Sequence, residues 1–424
     1  MNFIQVHKWV NSQQSYIYVG NLICEMSENN GAVSFHYEKE YTDYHGASLD
    51  PKNLNISNGR VFPQSHGNGV LPNYFYQFLP GQYASNQIAR LVPEWDSFND
   101  FQKLQFCSKH FGDHHAIQLN AHNSSQDNSI IHDKQQLKEL VELITHFVPE
   151  SSSKAIIDTP IFELCSLSGV RPKFEFTDES SGQRWIAKPN SNPFYDESKT
   201  RVITNMLSDV ATIDTVESYL DDDMEIAIQS NFKHAFYSSH TSHKLLKLNA
   251  IPLDILKPES AQTLIYSDIA DMIKEYSCNV KDDLAQLHRR AIFDAAINST
   301  RNTLDNFYFV DIAINKWRLA PSFASLPNPN TSDKFDTPFT LRAASRSLFT
   351  PDQLFSLELG LSLGVAPEVA NQNFFALEEA LKQLPQLLEE LGDENAQRIF
   401  DSVLSPYKSF NNAPSDDVSQ TPEF

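Results

Sequence analysis

Residues able to do chemistry gather at a few places in this chain. Ser166, Ser168 and Gly169 lie in a turn-like run ahead of Arg171-Pro172-Lys173. A glycine there lets backbone N–H groups approach a phosphate, and it also serves an ordinary turn. Lys188 closes the apolar run Trp185-Ile186-Ala187, where a solvated lysine at a strand end is the common case. A polar turn from Asn298 to Asn306 carries Arg301, Asp305 and Asn306. It lies between an amphipathic run (Leu287, Ala291, Ile292, Ala295) and two strand-like runs, 307–313 and 316–319. Histidines cluster at His110, His114, His115 and His122, and again at His234, His240 and His243. No cysteine stands at ligand spacing from them, so no zinc site is expected. Asp221-Asp222-Asp223 reads as a solvated acidic turn rather than a cation site.

The layout around Asn306 resembles the catalytic segment of HipA-family serine/threonine kinases, the toxin halves of bacterial toxin–antitoxin pairs. In that family a helix ending in R-x-x-F-N runs into N-x-D-x-H-x-x-N, then a short hairpin and L-A-P-x-x-D. Arg290, Phe293, Asn306, Phe309, Trp317, Arg318, Leu319, Ala320 and Pro321 fit. The run Leu167 to Lys173 resembles the family's S-G-A-R-P-K phosphate loop, and Trp185 to Pro189 resembles its W-I-A-K-F strand. Earlier fragments fit more loosely: Val19-Gly20-Asn21-Leu22, Leu71 to Phe75, Phe78 to Gly81, and Phe111-Gly112-Asp113, with His115 where glycine is usual.

The resemblance implies ATP and magnesium as cofactors. It assigns Ser168, Gly169 and Lys188 to nucleotide binding and Asn306 to the metal. The acidic positions depart from the pattern. The proton-accepting aspartate falls on Arg301, the following histidine on Thr303, and the metal-binding aspartate on Ala324. Ser230 to His234 replaces the family's V-E-R-F-D-R hinge, and only Phe232 is retained. A guanidinium cannot accept a proton, and a general base contributes roughly 10²- to 10⁴-fold. Arg301 therefore reads as inactivating, unless Asp305 or Asp311 supplies a substitute carboxylate. Three readings follow. One is a kinase-fold protein impaired in phosphotransfer that acts by binding a partner such as a HipB-like helix-turn-helix antitoxin. Another is an active serine/threonine kinase toxin with atypical catalytic residues. The third is a nucleotide sensor without chemistry.

The elements that must position these residues predict an α+β, protein-kinase-like bilobal fold. Alternation before residue 120 predicts a β-rich subdomain over 1–120. A kinase-like N-lobe is expected over 121–234, a helical C-lobe over 235–405, and a disordered tail over 406–424. Helical spacing marks 134–147, 199–208, 267–275, 282–296, 351–361, 368–391 (with a break near Pro385) and 394–403. The formal charge of −21 argues against strong DNA binding by the chain alone, so DNA would be reached through the antitoxin. No apolar run approaches the ~20 residues that span a bilayer. Cys24, Cys107, Cys165 and Cys278 form no CxxC pair and read as free thiols of a cytoplasmic protein.

Overall fold

The computed structural model describes residues 2–25, 32–44, 46–56, 60–61, 71–110, 115–120, 134–146, 173–178, 182–190, 196–239, 242–257, 266–299, 304–328, 352–391 and 394–411. The N-terminal alternation becomes a five-stranded antiparallel sheet. Its strands are β1 (Asn2–Val10), β2 (Ser15–Glu25), β3 (Ala32–Tyr37), β4 (Arg60–Val61) and β5 (Ile117–Leu119), in the order β4-β3-β2-β1-β5. Along β1, Ile4, Val6 and Lys8 share the inward face at period two. Val6 pairs with Gly20, beside an irregularity in the register. A Cβ at Gly20 would sit 2.0 Å from the His36 carbonyl oxygen, so only glycine permits this approach of β2 to β3. Helices α1 (Lys39–Tyr44), α2 (Gln82–Leu91) and α3 (Asp100–His110) also belong to this region, which is less purely β than the alternation suggested.

A second antiparallel sheet follows helix α4 (Lys134–His146). It comprises β6 (Phe174–Thr177), β7 (Arg184–Lys188), β8 (Ser218–Asp221) and β9 (Ile226–Ser230), ordered β6-β7-β9-β8. Leu137, Leu140 and Val141 of α4 pack on Phe174, Phe176, Ala187, Ile226 and Ile228, giving this sheet its own core. Between β7 and β8, α5 (Glu197–Val210) is capped by Asp196, whose carboxylate accepts from the N–H groups of Ser198 and Lys199.

Beyond Phe232 the chain was expected to be mostly helical. A hairpin intervenes, β10 (His234–Ser239) and β11 (Ser242–Lys247). A three-stranded sheet is then built from β12 (Ala250–Pro252), β13 (Tyr308–Ala313) and β14 (Lys316–Leu319). The helices are α6 (Leu253–Leu256), α7 (Tyr266–Tyr276), α8 (Val280–Ala296), α9 (Gln353–Leu363), α10 (Pro367–Leu391) and α11 (Glu394–Asn411). Helix α10 packs against α5, α8 and α9.

Two sequence expectations are corrected here. Helix α10 runs unbroken through Pro385. Leu377, Ala380, Leu384, Leu387 and Leu388 stay on the buried face across it, and this packing outweighs the ~3 kcal/mol that an interior proline costs. Helix α11 continues through Pro406 to Asn411, so the first six residues of the expected disordered tail are helical. The turn at Asn29 to Gly31 and the loop 121–133 lie outside the described residues.

The first sheet is tied to β13 by a buried ion pair. Lys8 Nζ lies 2.5 Å from Asp311 Oδ2, and Asp311 Oδ1 accepts from the Asn249 N–H at 2.8 Å. Burial is the largest influence on Lys8 and works against its charge, but Asp311 and Tyr41 together leave the lysine above its usual range; burial also raises the Asp311 carboxyl, against the pull of Lys8.

Candidate functional site

Strand β7 carries Lys188 at its end, paired in register with Ala227 of the central strand β9. The lysine side chain is held by neutral oxygens. Its Nζ donates to Gln229 Oε1 and, at 3.3 Å, to the Phe323 main-chain carbonyl oxygen. The amine also lies 5.7 Å from the centre of the Phe323 ring. Burial, then the nearby charges of Arg201 and Lys173, hold Lys188 well below the usual lysine range.

Lys188 lines a cavity of about 60 Å³, room for a few waters at ~10–15 Å³ each. Lys173 and Lys233 line it as well, with Gln229, Ser230, Asn231 and His115 as its other polar residues. Phe232, Tyr308 and Phe323 form its aromatic side. The Phe232 and Phe323 rings stack at 5.2 Å and 25°. Burial brings Lys233 down to about 8, partly offset by Glu175.

The loop after β14 is fixed from two directions. Arg290 Nη2, deep in α8, donates to the Ala320 carbonyl oxygen at 2.6 Å. Burial lowers this guanidinium to about 10, against the pull of Asp214, Asp294 and Asp283, so it stays charged at neutral pH. Ser322 makes backbone hydrogen bonds with Asp214 (2.8 Å) and Val216 (3.0 Å). Asp283 anchors β14 by accepting from Arg318 Nε and the Leu319 N–H, both at 2.9 Å. These contacts give Arg290, Arg318 and Leu319 structural work: they set where Phe323 and Ala324 sit.

The sequence candidates do not all come together. Ser168, Gly169, Arg301 and Thr303 lie outside the described residues. Asp305 and Asn306 form a single 3-10 turn, Leu304–Asn306, before β13. Neither lines the cavity among the described residues. Asp305 lies close enough to Asp254 that, after burial, it is the next cause raising that carboxyl. Asp311 is engaged by Lys8. Ala324 brings no ligand atom beyond its backbone. A carboxylate that the sequence reading passed over, Asp294, lies next to this segment and accepts from Ser325 Oγ at 2.8 Å and Tyr266 Oη at 3.0 Å. Magnesium takes oxygen ligands, one or two of them usually carboxylates. The described cavity lining has three lysines and no carboxylate, so it offers that ion neither of the acidic ligands it usually takes.

Where His115 lines the cavity, a cluster forms that no local motif announced. His115, Glu175 and His234 bring their ligand-type atoms within 4.8 Å of one another. His115 Nδ1 contacts His234 Nε2 and lies 3.6 Å from Glu175 Oε1. Asn231 Nδ2 donates to the same carboxylate oxygen at 2.6 Å. His115 has a φ of 62°, a left-handed conformation costing a non-glycine residue about 1–3 kcal/mol. This explains why glycine is usual there in the resembling family. The donor set is that of a metal site, yet its surroundings are cationic. Arg184 Nη1 lies 3.4 Å from His234 Nε2. Burial, then Arg184, Lys247 and Lys233, hold His234 well below the usual histidine range. A divalent ion would add charge where positive charge already dominates. The cluster reads as a hydrogen-bonded junction joining the residue ahead of β5 to β6, β7 and β10.

A family model for the HipA-like C-terminal domain matches residues 165–404, more than half the chain. The protein belongs to that family. Among solved structures, the HipA-like chain is similar to one from the Shewanella oneidensis MR-1 toxin–antitoxin system of HipA, HipB and its operator DNA. There the TM-score is 0.66 at 11% identity, covering 96% of this chain and 97% of that one. A proinflammatory kinase of Helicobacter pylori, CtkA, gives a TM-score of 0.35 at 9% identity, over 57% of this chain and 89% of that one. None of the curated proteins matches. Among the described residues, no helix is long and apolar enough to cross a membrane.

Proposed function

We propose that this HipA-like protein is a member of a toxin–antitoxin system, that it transfers no phosphate, and that it acts by binding a partner, a HipB-like helix-turn-helix antitoxin. The supporting observation is the cavity's polarity. Lys188 keeps its place at the end of β7, but it faces Gln229 and a backbone carbonyl, with no carboxylate in the described lining. Phosphoryl transfer works through positioning and charge stabilisation by metal, base and lysine together. A lysine alone supplies one part of three. Magnesium–ATP binding is accordingly weak, and the folded body acts through its surface.

The net charge of −21 suits a partner with a basic face. Complementary charge of this kind raises association rate and selectivity more than affinity. The fold likeness to a HipA solved with HipB and operator DNA supports the same partner class. Native co-purification and a gel-shift assay test the proposal. The protein alone should leave operator DNA unshifted and should enter the complex once the antitoxin is added. That association should weaken with salt, since exposed charges are screened over ~8–10 Å. Recovery of the protein by itself at low salt, together with unaided DNA binding, would overturn it.

A further inference from the structure

Helix α9 is apolar on both of its faces. Phe355, Leu359 and Leu363 are buried, while Leu354, Leu357 and Leu361 share the opposite face at spacings of three and four. A helix apolar all round is normally covered all round. Here Leu357 is half-buried, Leu354 is 46% exposed and Leu361 is 75% exposed. Phe375 of α10, 54% exposed, stands one turn beyond Asn371, which accepts from Gln353 Nε2, next to Leu354, at 3.0 Å. Specific contacts hold the helix from below. Asp352 caps it by accepting from the Phe355 N–H at 2.7 Å. Ser356 Oγ donates to the Ala370 carbonyl oxygen at 3.0 Å, and a Cβ at Gly360 would come within 2.8 Å of the Ala370 Cβ. A face fixed in this way loses little freedom when a partner covers it.

The surroundings of this face are acidic. Glu358 stands within the stripe, one turn from Leu354 and from Leu361, and Asp352 and Glu368 are exposed near the two ends of α9. Along 352–391 the sequence has seven acids and one base, and that base, Lys382, is paired with Glu379 at 2.6 Å. Lys274, which comes near Gly364 at the end of α9, is paired with Asp271. We propose that the outer face of α9 docks one amphipathic helix of a protein partner, with lysine or arginine flanking its apolar stripe. The inference rests on the reading above that the folded body acts through its surface, and it names that surface and the chemistry of what covers it. A helix laid along α9 sets its own apolar stripe against Leu354, Leu357 and Leu361, and a flanking base meets Glu358. A second copy of this chain is the poorer occupant. It would bring Glu358 and the same acidic rim against their own kind, and like charges oppose such a contact.

The test uses the purified full chain and two labelled synthetic helices with the same leucine stripe, one flanked by lysine and the other by glutamate, read by fluorescence anisotropy. The lysine helix should bind and the glutamate helix should not. Leu354→Gln and Leu361→Gln leave the net charge unchanged, and each should weaken binding about tenfold or more, the worth of one buried leucine. Both positions are exposed, so the variants should fold and melt as the native chain does. Glu358→Gln should weaken binding about two- to fivefold and flatten its salt dependence. Ile314→Gln, exposed at the β13–β14 turn, should change nothing. Lysine-helix binding that survives both leucine variants is attraction to the overall negative charge alone, and it overturns the inference. Equal binding of the two helices, or no binding of either, overturns it too. So does a dimer of the native chain in sedimentation that Leu361→Gln dissolves, because the face then belongs to a second copy. The synthetic helices need no antitoxin, so this test succeeds or fails apart from the co-purification above.

Discussion

The Lys188 amine donates to the main-chain carbonyl oxygen of Phe323 at 3.3 Å. That bond ties the end of β7 to the loop held by Arg290, and it leaves the ammonium facing neutral partners. Replacing a half-buried charge that meets no carboxylate among the described residues with an apolar side chain of similar length removes a desolvation penalty. Lys188→Met should therefore raise the melting temperature in anion-free buffer. The pH dependence has a definite sign. The folded lysine lies well below 10.5, so at pH between its folded value and 10.5 the unfolded chain binds more protons. Stability then rises with pH across that window. Denaturant titrations at stepwise alkaline pH should show this rise in the native protein and a flatter profile in Lys188→Met. A melting temperature that falls in the variant would contradict it.

The Lys8–Asp311 pair should behave oppositely, because it is matched. Truncating either partner leaves the other charge buried, which typically costs about 3–5 kcal/mol. Asp311→Ala should cost more than Lys8→Ala. The carboxylate also accepts the Asn249 N–H at 2.8 Å, and that donor would be orphaned. A double-mutant cycle in urea measures the coupling. Additive effects within ~0.5 kcal/mol would mean that the two residues do not interact.

Much of this architecture is legible locally. Leu287, Ala291, Ile292 and Ala295 mark the buried face of α8 by their spacing, and Trp185 to Lys188 announces β7. The apolar and backbone-fixing residues around Pro321 also survive in recognisable order. The contacts that assemble the site are long-range. Lys8 and Asp311 stand 303 residues apart, and His115 and His234 stand 119 apart. No window of periodicity spans such distances. His115 did carry a signal, a histidine at a position the resembling family fills with glycine, but its partner could not be named from sequence. Pro385 shows the converse failure. A strong local breaker was outvoted by leucines that pack only once the tertiary core exists.

His288 sets an acid limit on stability. Its ring contacts the Ser356 carbonyl oxygen at 2.8 Å and Asn373 Nδ2 at 3.0 Å, completely buried. Burial lowers it from 6.5 to about 4, against the hydrogen bond to Ser356, which acts to raise it. Because the folded value is the lower, the unfolded state binds the extra proton between pH 6.5 and 4. The stabilisation is present above 6.5 and is lost as pH falls through that window. Between pH 7 and pH 5 the loss is about 2 kcal/mol. His288→Gln should be less stable at pH 7 and show a shallower acid dependence. Equal slopes for the two proteins would rule out His288 as the source.

The proposed loss of phosphotransfer makes a sharper prediction through Ala324. This residue follows Phe323, whose carbonyl already receives Lys188, and Ser322 fixes the segment against residues 214–216. A side chain introduced at 324 therefore starts from a positioned backbone. Ala324→Asp supplies one carboxylate of the kind that holds magnesium. It should make ATP binding more dependent on magnesium, so that the ion strengthens affinity more in the variant than in the native chain. Phosphate transfer should still be absent, since one new ligand provides no proton acceptor and a base is worth roughly 10²- to 10⁴-fold. Calorimetry with and without magnesium reads the first effect, and radiolabel incorporation reads the second. Incorporation by the native chain that disappears in both Lys188→Ala and Asp305→Ala would establish Asp305 as a working base and overturn the non-catalytic reading. No change in the magnesium response of Ala324→Asp would show that position 324 does not face the nucleotide phosphates.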